Sequence, residues 1–127
     1  MHVTTPSRYS HSETVRRLAQ AIADAGNTLF ATIDQAAAAR AVGLELRPTT
    51  MLVFGNPRGG TPLMAAFPPI ALQLPLRLVV WQAGDAVVIG HERMAELAPA
   101  YGVPADHPAI AAMDRALAGL VAAVSTV

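Results

Sequence analysis

The segment Gly55-Asn56-Pro57-Arg58-Gly59-Gly60-Thr61-Pro62 gathers an amide, a guanidinium, a hydroxyl and three glycines between an apolar run and a helix-like pattern. Glycines let a backbone approach a ligand, and a helix start offers unpaired amides to an anion. Arg58 adds a positive charge, and Met64 one turn on supplies a pliable apolar wall. The spacing is neither a P-loop nor a dinucleotide fingerprint, because no Gly-Lys-Ser/Thr follows and the glycine intervals differ. The plain structural alternative is a tight turn followed by a helix cap. Asp34, at the end of a second apolar run, sits where active-site carboxylates and ordinary N-caps both occur. The candidate ligand contacts are therefore Asp34, Asn56, Arg58, Gly60, Thr61 and Met64, with Asp34 the one weak candidate for catalysis.

The remaining polar groups suggest no further chemistry. His91, Glu92 and Glu96 resemble a shortened metalloprotease helix, but position 95 is Ala95 where the second histidine belongs. They read as a solvated helix start. His2, His11 and His107 fall in the tail or at helix starts, and no serine sits in a G-x-S-x-G elbow. With no cysteine present, disulfides, thiolate metal sites and cysteine nucleophiles are excluded. No metal and no cofactor is expected.

These residues must be held by elements that the pattern makes visible. His2 to Tyr9 reads as a first strand, irregular at Pro6. Ser10 and Glu13 have the spacing of a capping box. The helix after them puts Val15, Leu18, Ala19, Ile22 and Ala23 on one face, and Gly26 closes it. Thr28 to Ile33 is a strand, Asp34 caps a helix over Gln35 to Val42, and Gly43 ends that helix. Thr50 to Phe54 is a central strand. Thr61 as cap with Pro62 at the first helical position predicts a short helix to Phe67, stopped by Pro68-Pro69. Leu76 to Trp81 and Ala86 to Ile89 flank a Gly84-Asp85 hairpin turn. Glu92 to Ala100 is a short helix. Asp106 and Pro108 open a last one, whose inner face carries Ile110, Met113, Leu117, Leu120, Val121 and Val124. The order β-α-β-α-β-(α)-β-β-α-α predicts an α+β domain over 1–127, with about five mixed or antiparallel strands covered mainly on one face by helices.

Between Arg58 and Arg77 lie eighteen consecutive residues without a charge, Gly59 to Leu76. That length approaches the roughly 20 residues of a membrane helix. Pro62, Pro68, Pro69 and Pro75 interrupt it, however, and lipid cannot replace the donors they remove. The stretch is expected to be covered by core, ligand or partner in a water-soluble fold, and no membrane association is expected.

The whole chain, 127 residues, is 53% hydrophobic and only 14% charged, against about 25% charged in an ordinary domain. Such a chain buries roughly two-thirds of its unfolded surface, and the apolar excess suits either a full core or a permanent oligomer interface. The nine basic residues are all arginine, balanced by nine acids and unclustered. No nucleic-acid partner is expected. The first ten residues lack the apolar core of a signal peptide, so a cytoplasmic location is the expectation.

In order along the chain, TLFATID (Thr28–Asp34), Gly43-Leu44-Glu45-Leu46-Arg47-Pro48-Thr49, Phe54-Gly55-Asn56-Pro57, Gly60-Thr61-Pro62-Leu63-Met64 and Leu74-Pro75-Leu76-Arg77 resemble the bacterial domain of unknown function 302 family. The likeness covers roughly residues 3 to 124. It implies a compact α+β domain, usually a dimer, with no established reaction. The family commonly has histidine where this chain has Gln35 and aspartate where it has Gln73. If those groups form a polar or metal site in the family, this chain lacks two of its parts. The leading expectation is a homodimeric module binding a small apolar or anionic molecule beside Asn56 to Met64. One alternative is a hydrolase or isomerase with Asp34 as base and Thr61 or loop amides holding an oxyanion. Another is a purely structural partner whose uncharged stretch is interface.

Overall fold

In a computed structural model describing residues 2–126, one sheet is built from β1 (His2–Pro6), β2 (Thr28–Asp34), β3 (Thr49–Gly55), β4 (Leu76–Ala83) and β5 (Ala86–Glu92). The spatial order is β1-β5-β4-β3-β2. Every neighbouring pair is antiparallel, so the sheet is not mixed. The helices are α1 (His11–Asp24), α2 (Gln35–Ala41), α3 (Pro57–Ala66), α4 (Met94–Leu97) and α5 (Pro108–Ala122). Two 3₁₀ segments, Pro68–Gln73 and Ala98–Tyr101, complete the α+β arrangement.

Alternation decides which face of the sheet is core. On β3, Thr50, Leu52 and Phe54 are buried, as are Leu76, Leu78 and Val80 on β4 and Val87 and Ile89 on β5. The registers Leu52↔Leu78 and Val80↔Ile89 bring them together on one side. There they meet Leu18 and Ile22 of α1 and Ile110, Leu117 and Val121 of α5. On the other face Met51, Val53, Val79, Trp81 and Val88 are half-buried. The Trp81 ring lies on Gly90, where a Cβ would come within 2.6 Å of it. The β4–β5 hairpin turns at Gly84, whose φ of +61° is the left-handed value such a turn needs.

Local signals explain most boundaries. Ser10 Oγ accepts the Glu13 amide at 3.2 Å and starts α1, while Gly26 follows its end at φ +80°. The buried side of α1 is Thr14, Leu18 and Ile22, flanked by half-buried Val15, Ala19 and Ala21; Ala23 faces out. Asp34 Oδ1 accepts the Ala37 amide at 2.9 Å and starts α2. Strand β1 ends at Pro6 rather than Tyr9, because Ser7 Oγ turns to Thr14 Oγ1 at 2.6 Å and begins the approach to α1.

Two helices start where a different residue can cap them. α3 opens at Asn56 with Pro57 in its first turn, so Thr61 is a mid-helix residue and Pro62 lies inside. α5 is capped by His107, whose Nδ1 accepts the Ala109 amide at 3.1 Å; Asp106 stands one residue too early. The uncharged stretch from Gly59 to Leu76 runs through α3 and the first 3₁₀ segment into β4. It buries Leu63, Ile70 and Leu76 in the core, although Leu72 is 76% exposed.

Candidate functional site

The first turn of α3 is closed by its own chain. Pro57 has no amide hydrogen. The Arg58 amide donates to Asn56 Oδ1 at 3.0 Å. The Gly59 and Gly60 amides both donate to the Asn56 carbonyl, at 3.0 and 2.9 Å. All the donors that a helix start would offer an anion are therefore absent or engaged. The glycines serve another purpose, which is to keep side chains out of the space beside them.

That space is a cavity of about 450 Å³ between the start of α3 and α5, over the end of β3. Its size lies in the range of small-molecule sites, roughly 300 to 1,000 Å³. Asn56, Gly60, Thr61 and Met64 line one wall, and Leu74 with Pro75 lines a second. The third wall is α5, through Ala109, Ala112, Met113 and Ala116. These four recur at the spacing of a single helix face, with alanine where longer chains would close the gap. Phe30 closes the end. It sits at the register shift between Leu29 and Ala31 on β2, is 52% exposed, and its ring approaches Gly55, where an added Cβ would lie 3.7 Å away.

Among the described residues no charged side chain lines this cavity, and its polar side chains are Asn27, Asn56 and Thr61. Four of the six residues singled out from sequence thus meet in one place. Arg58 is exposed at the helix start and does not line it. Asp34 lies outside it too, its Oδ1 accepting the Ala37 amide. Asp34 is therefore placed as the N-cap of α2, apart from the cavity that gathers Asn56, Gly60, Thr61 and Met64. Sequence reasoning missed Phe30, Asn27 and the alanine face of α5. The alanine spacing was a readable signal. The bulge that turns Phe30 was not. Among the described residues no group of three or more histidines, acids or cysteines is placed to hold a metal.

Comparison with known proteins places the chain. The profile of the family described as Domain of unknown function DUF302 matches residues 3–124. The crystal structure of an uncharacterized conserved DUF302 protein from Bacillus stearothermophilus superposes with a TM-score of 0.88, covering 97% of each chain at 22% identity. That likeness carries the fold. Two curated relatives are each called Fluoride-specific ion channel FluC 1, from Brucella suis biovar 1 (strain 1330) and Brucella abortus biovar 1 (strain 9-941). Each is 41% identical over 86 residues, 68% of this chain. The aligned part is 34% and 32% of those proteins, so the chain spans about a third of the relatives it matches. No helix of the described residues is long and apolar enough to cross a membrane.

Proposed function

The chain belongs to the DUF302 family, and we propose that it works as a homodimeric cytoplasmic module that binds a small, uncharged, largely apolar molecule in the cavity between α3 and α5. The observation that carries this reading is the lining of that cavity, which among the described residues has apolar walls, three polar side chains and no charged one. A few polar anchors in an apolar pocket orient a small ligand without demanding an ion from it. The engaged amides of the α3 first turn favour the neutral ligand over the anionic one.

Native mass spectrometry of protein purified without denaturant, together with titration of the neutral fluorophore N-phenyl-1-naphthylamine, tests this reading. A co-purified mass, or probe binding that Ala112→Phe abolishes while leaving the melting temperature in place, supports it. No extra mass, with probe binding indifferent to Ala112→Phe, defeats it.

The homodimer rests on a separate observation. β2 is an edge strand with Leu29, Phe30 and Ile33 exposed, and Leu44 and Leu46 beyond α2 are exposed as well. An edge of this kind invites a second strand unless charge or proline blunts it. β2 carries no basic residue and no proline, and its one charge, Asp34, is at its end. Pairing about a two-fold axis at Ala31 sets Asp34 against Thr28 and Leu29 against Ile33, with no like charges opposed. The fluoride transport in the relatives' name belongs to those longer proteins. Here we take the matched segment as a binding module that can stand beside other functions.

A further inference from the structure

A second cavity, which meets the first at Leu76, opens inside the sheet. The β4–β5 ladder runs from Ala83↔Ala86 to Val79↔Gly90 and stops there, although both strands continue. β4 stays with β3 as far as Phe54↔Leu76, and β5 stays with β1 as far as His2↔Glu92. The two strands therefore part like the prongs of a fork. Between them lies a cavity of about 270 Å³. Its floor is apolar, with Leu76 and Val79 from the sheet and Met94, Leu97 and Leu117 from the helices.

The prongs carry opposite charges that do not meet. Arg77 lines the cavity from β4 and Glu92 from β5, yet they form no salt bridge with each other. Among the described residues Arg77 has no carboxylate partner, and the Glu92 side chain has no hydrogen-bond or ionic partner. Arg77 is nevertheless held in place. Its Nη2 donates to Gln73 Oε1 at 3.0 Å, and Gln73 Nε2 donates to the Tyr101 hydroxyl at 2.6 Å. On the Glu92 side, His91 Nδ1 lies 3.0 Å from the Glu92 carbonyl. A carbonyl only accepts, so His91 Nδ1 is the donor of that bond. One prong thus presents a guanidinium for a carboxylate, the other the Glu92 carboxylate for an ammonium, and the space between them is greasy.

We propose that this fork is a binding site for a free α-amino acid with an apolar side chain, its carboxylate on Arg77, its ammonium on Glu92, and its side chain on the Leu76, Leu97 and Leu117 floor. A guanidinium recognises a carboxylate in bidentate fashion, and charge-assisted contacts of this type are the strong ones. The cavity is smaller than that between α3 and α5, consistent with a smaller ligand.

Isothermal titration of the full chain with L-leucine and L-phenylalanine is the test, with N-acetyl-L-leucine and L-leucinamide as the blocked counterparts. The free amino acids should bind, and each blocked form should bind at least about tenfold more weakly, the loss expected for one charge-assisted contact. Arg77→Ala and Glu92→Gln, both at exposed side chains, should each cost a similar factor without lowering the ligand-free melting temperature. Ala112→Phe, in the other cavity, should leave amino-acid binding intact, which keeps a failure here distinct from a failure of the apolar site. The proposal is overturned if neither amino acid binds at millimolar concentration, if the blocked forms bind as well as the free ones, or if Arg77→Ala binds as wild type does.

Discussion

Single side chains in this protein make sharp and separable forecasts. Glu13 accepts from Arg16 through both carboxylate oxygens and from Arg17 Nε at 2.9 Å, and Arg17 also lies 4.0 Å over the Tyr9 ring. The Arg16 hydrogen bonds first, then those of Arg17, hold the Glu13 carboxyl down to about 2 from an ordinary 4.5. A depressed carboxylate stabilises the fold above its unfolded pKa, and that stability is lost as pH falls through the folded one. The melting temperature of wild type should therefore exceed that of Glu13→Gln at pH 6, and the gap should close between pH 4.5 and 2. Thermal melts across that window check it, and a gap undiminished at pH 2 contradicts it. A second pair of substitutions separates the two candidate caps of α3. Asn56→Ala removes the acceptor of the Arg58 amide and should cost about 1 kcal/mol. Thr61→Ala, an exposed mid-helix change, should stay within about 0.5 kcal/mol of wild type. Urea unfolding of both variants distinguishes the arrangement from one in which Thr61 is the cap.

Elements that depend on near neighbours were legible in the sequence, and those that depend on distant ones were not. Ser10 with Glu13, Asp34 before its alanines, and the Gly84-Asp85 turn act within a few residues, so type and spacing alone located α1, α2 and the β4–β5 hairpin. The start of α3 was misplaced because Asn56-Pro57 and Thr61-Pro62 carry the same cap-and-proline signal, and the choice falls to the earlier pair that adjoins β3. One wall of the apolar cavity was likewise visible in one contiguous segment, whereas Phe30 and the α5 wall join it only by tertiary contact. The short helix α4 shows the limit most plainly. It has no cap of its own. Its first amides, from Met94 and Ala95, donate instead to Asp114 Oδ1 and Oδ2 of α5, at 2.7 and 3.1 Å. No spacing rule connects residues twenty positions apart. Hydrogen bonds to a charged acceptor contribute roughly 1.5 to 3 kcal/mol, so Asp114→Ala should destabilise by about 2 kcal/mol. The damage should concentrate where α4 meets α5. Denaturant melts give the first quantity, and amide exchange at Met94 and Ala95 the second.

At the scale of the whole molecule, the two edges of the sheet are treated differently. β1 ends at Pro6, and the chain beyond it is tied back by the Ser7↔Ser125 bridge and by the Thr126 amide donating to the Pro6 carbonyl at 3.2 Å. Among the described residues nothing ties back β2 in this way, and a chain without lysine lacks the commonest means of keeping an edge strand solitary. If two copies join along β2, their sheets become continuous. Phe30, which closes the apolar cavity from the same strand, is then fixed by the partner's edge. Dimerisation would thereby shape the ligand site, because the bulge at Leu29–Ala31 is free to shift in an unpaired edge but not in a paired one. Multi-angle light scattering at micromolar concentration should give twice the chain mass of 13.2 kDa. Ile33→Lys, which puts a charge on the exposed edge without touching the core, should return the mass to that of one chain and weaken probe binding in the α3–α5 cavity. A wild-type protein that stays monomeric, or an Ile33→Lys protein that remains dimeric, removes β2 as the joining edge. A monomeric Ile33→Lys protein with undiminished probe affinity would keep the interface and sever its link to the cavity.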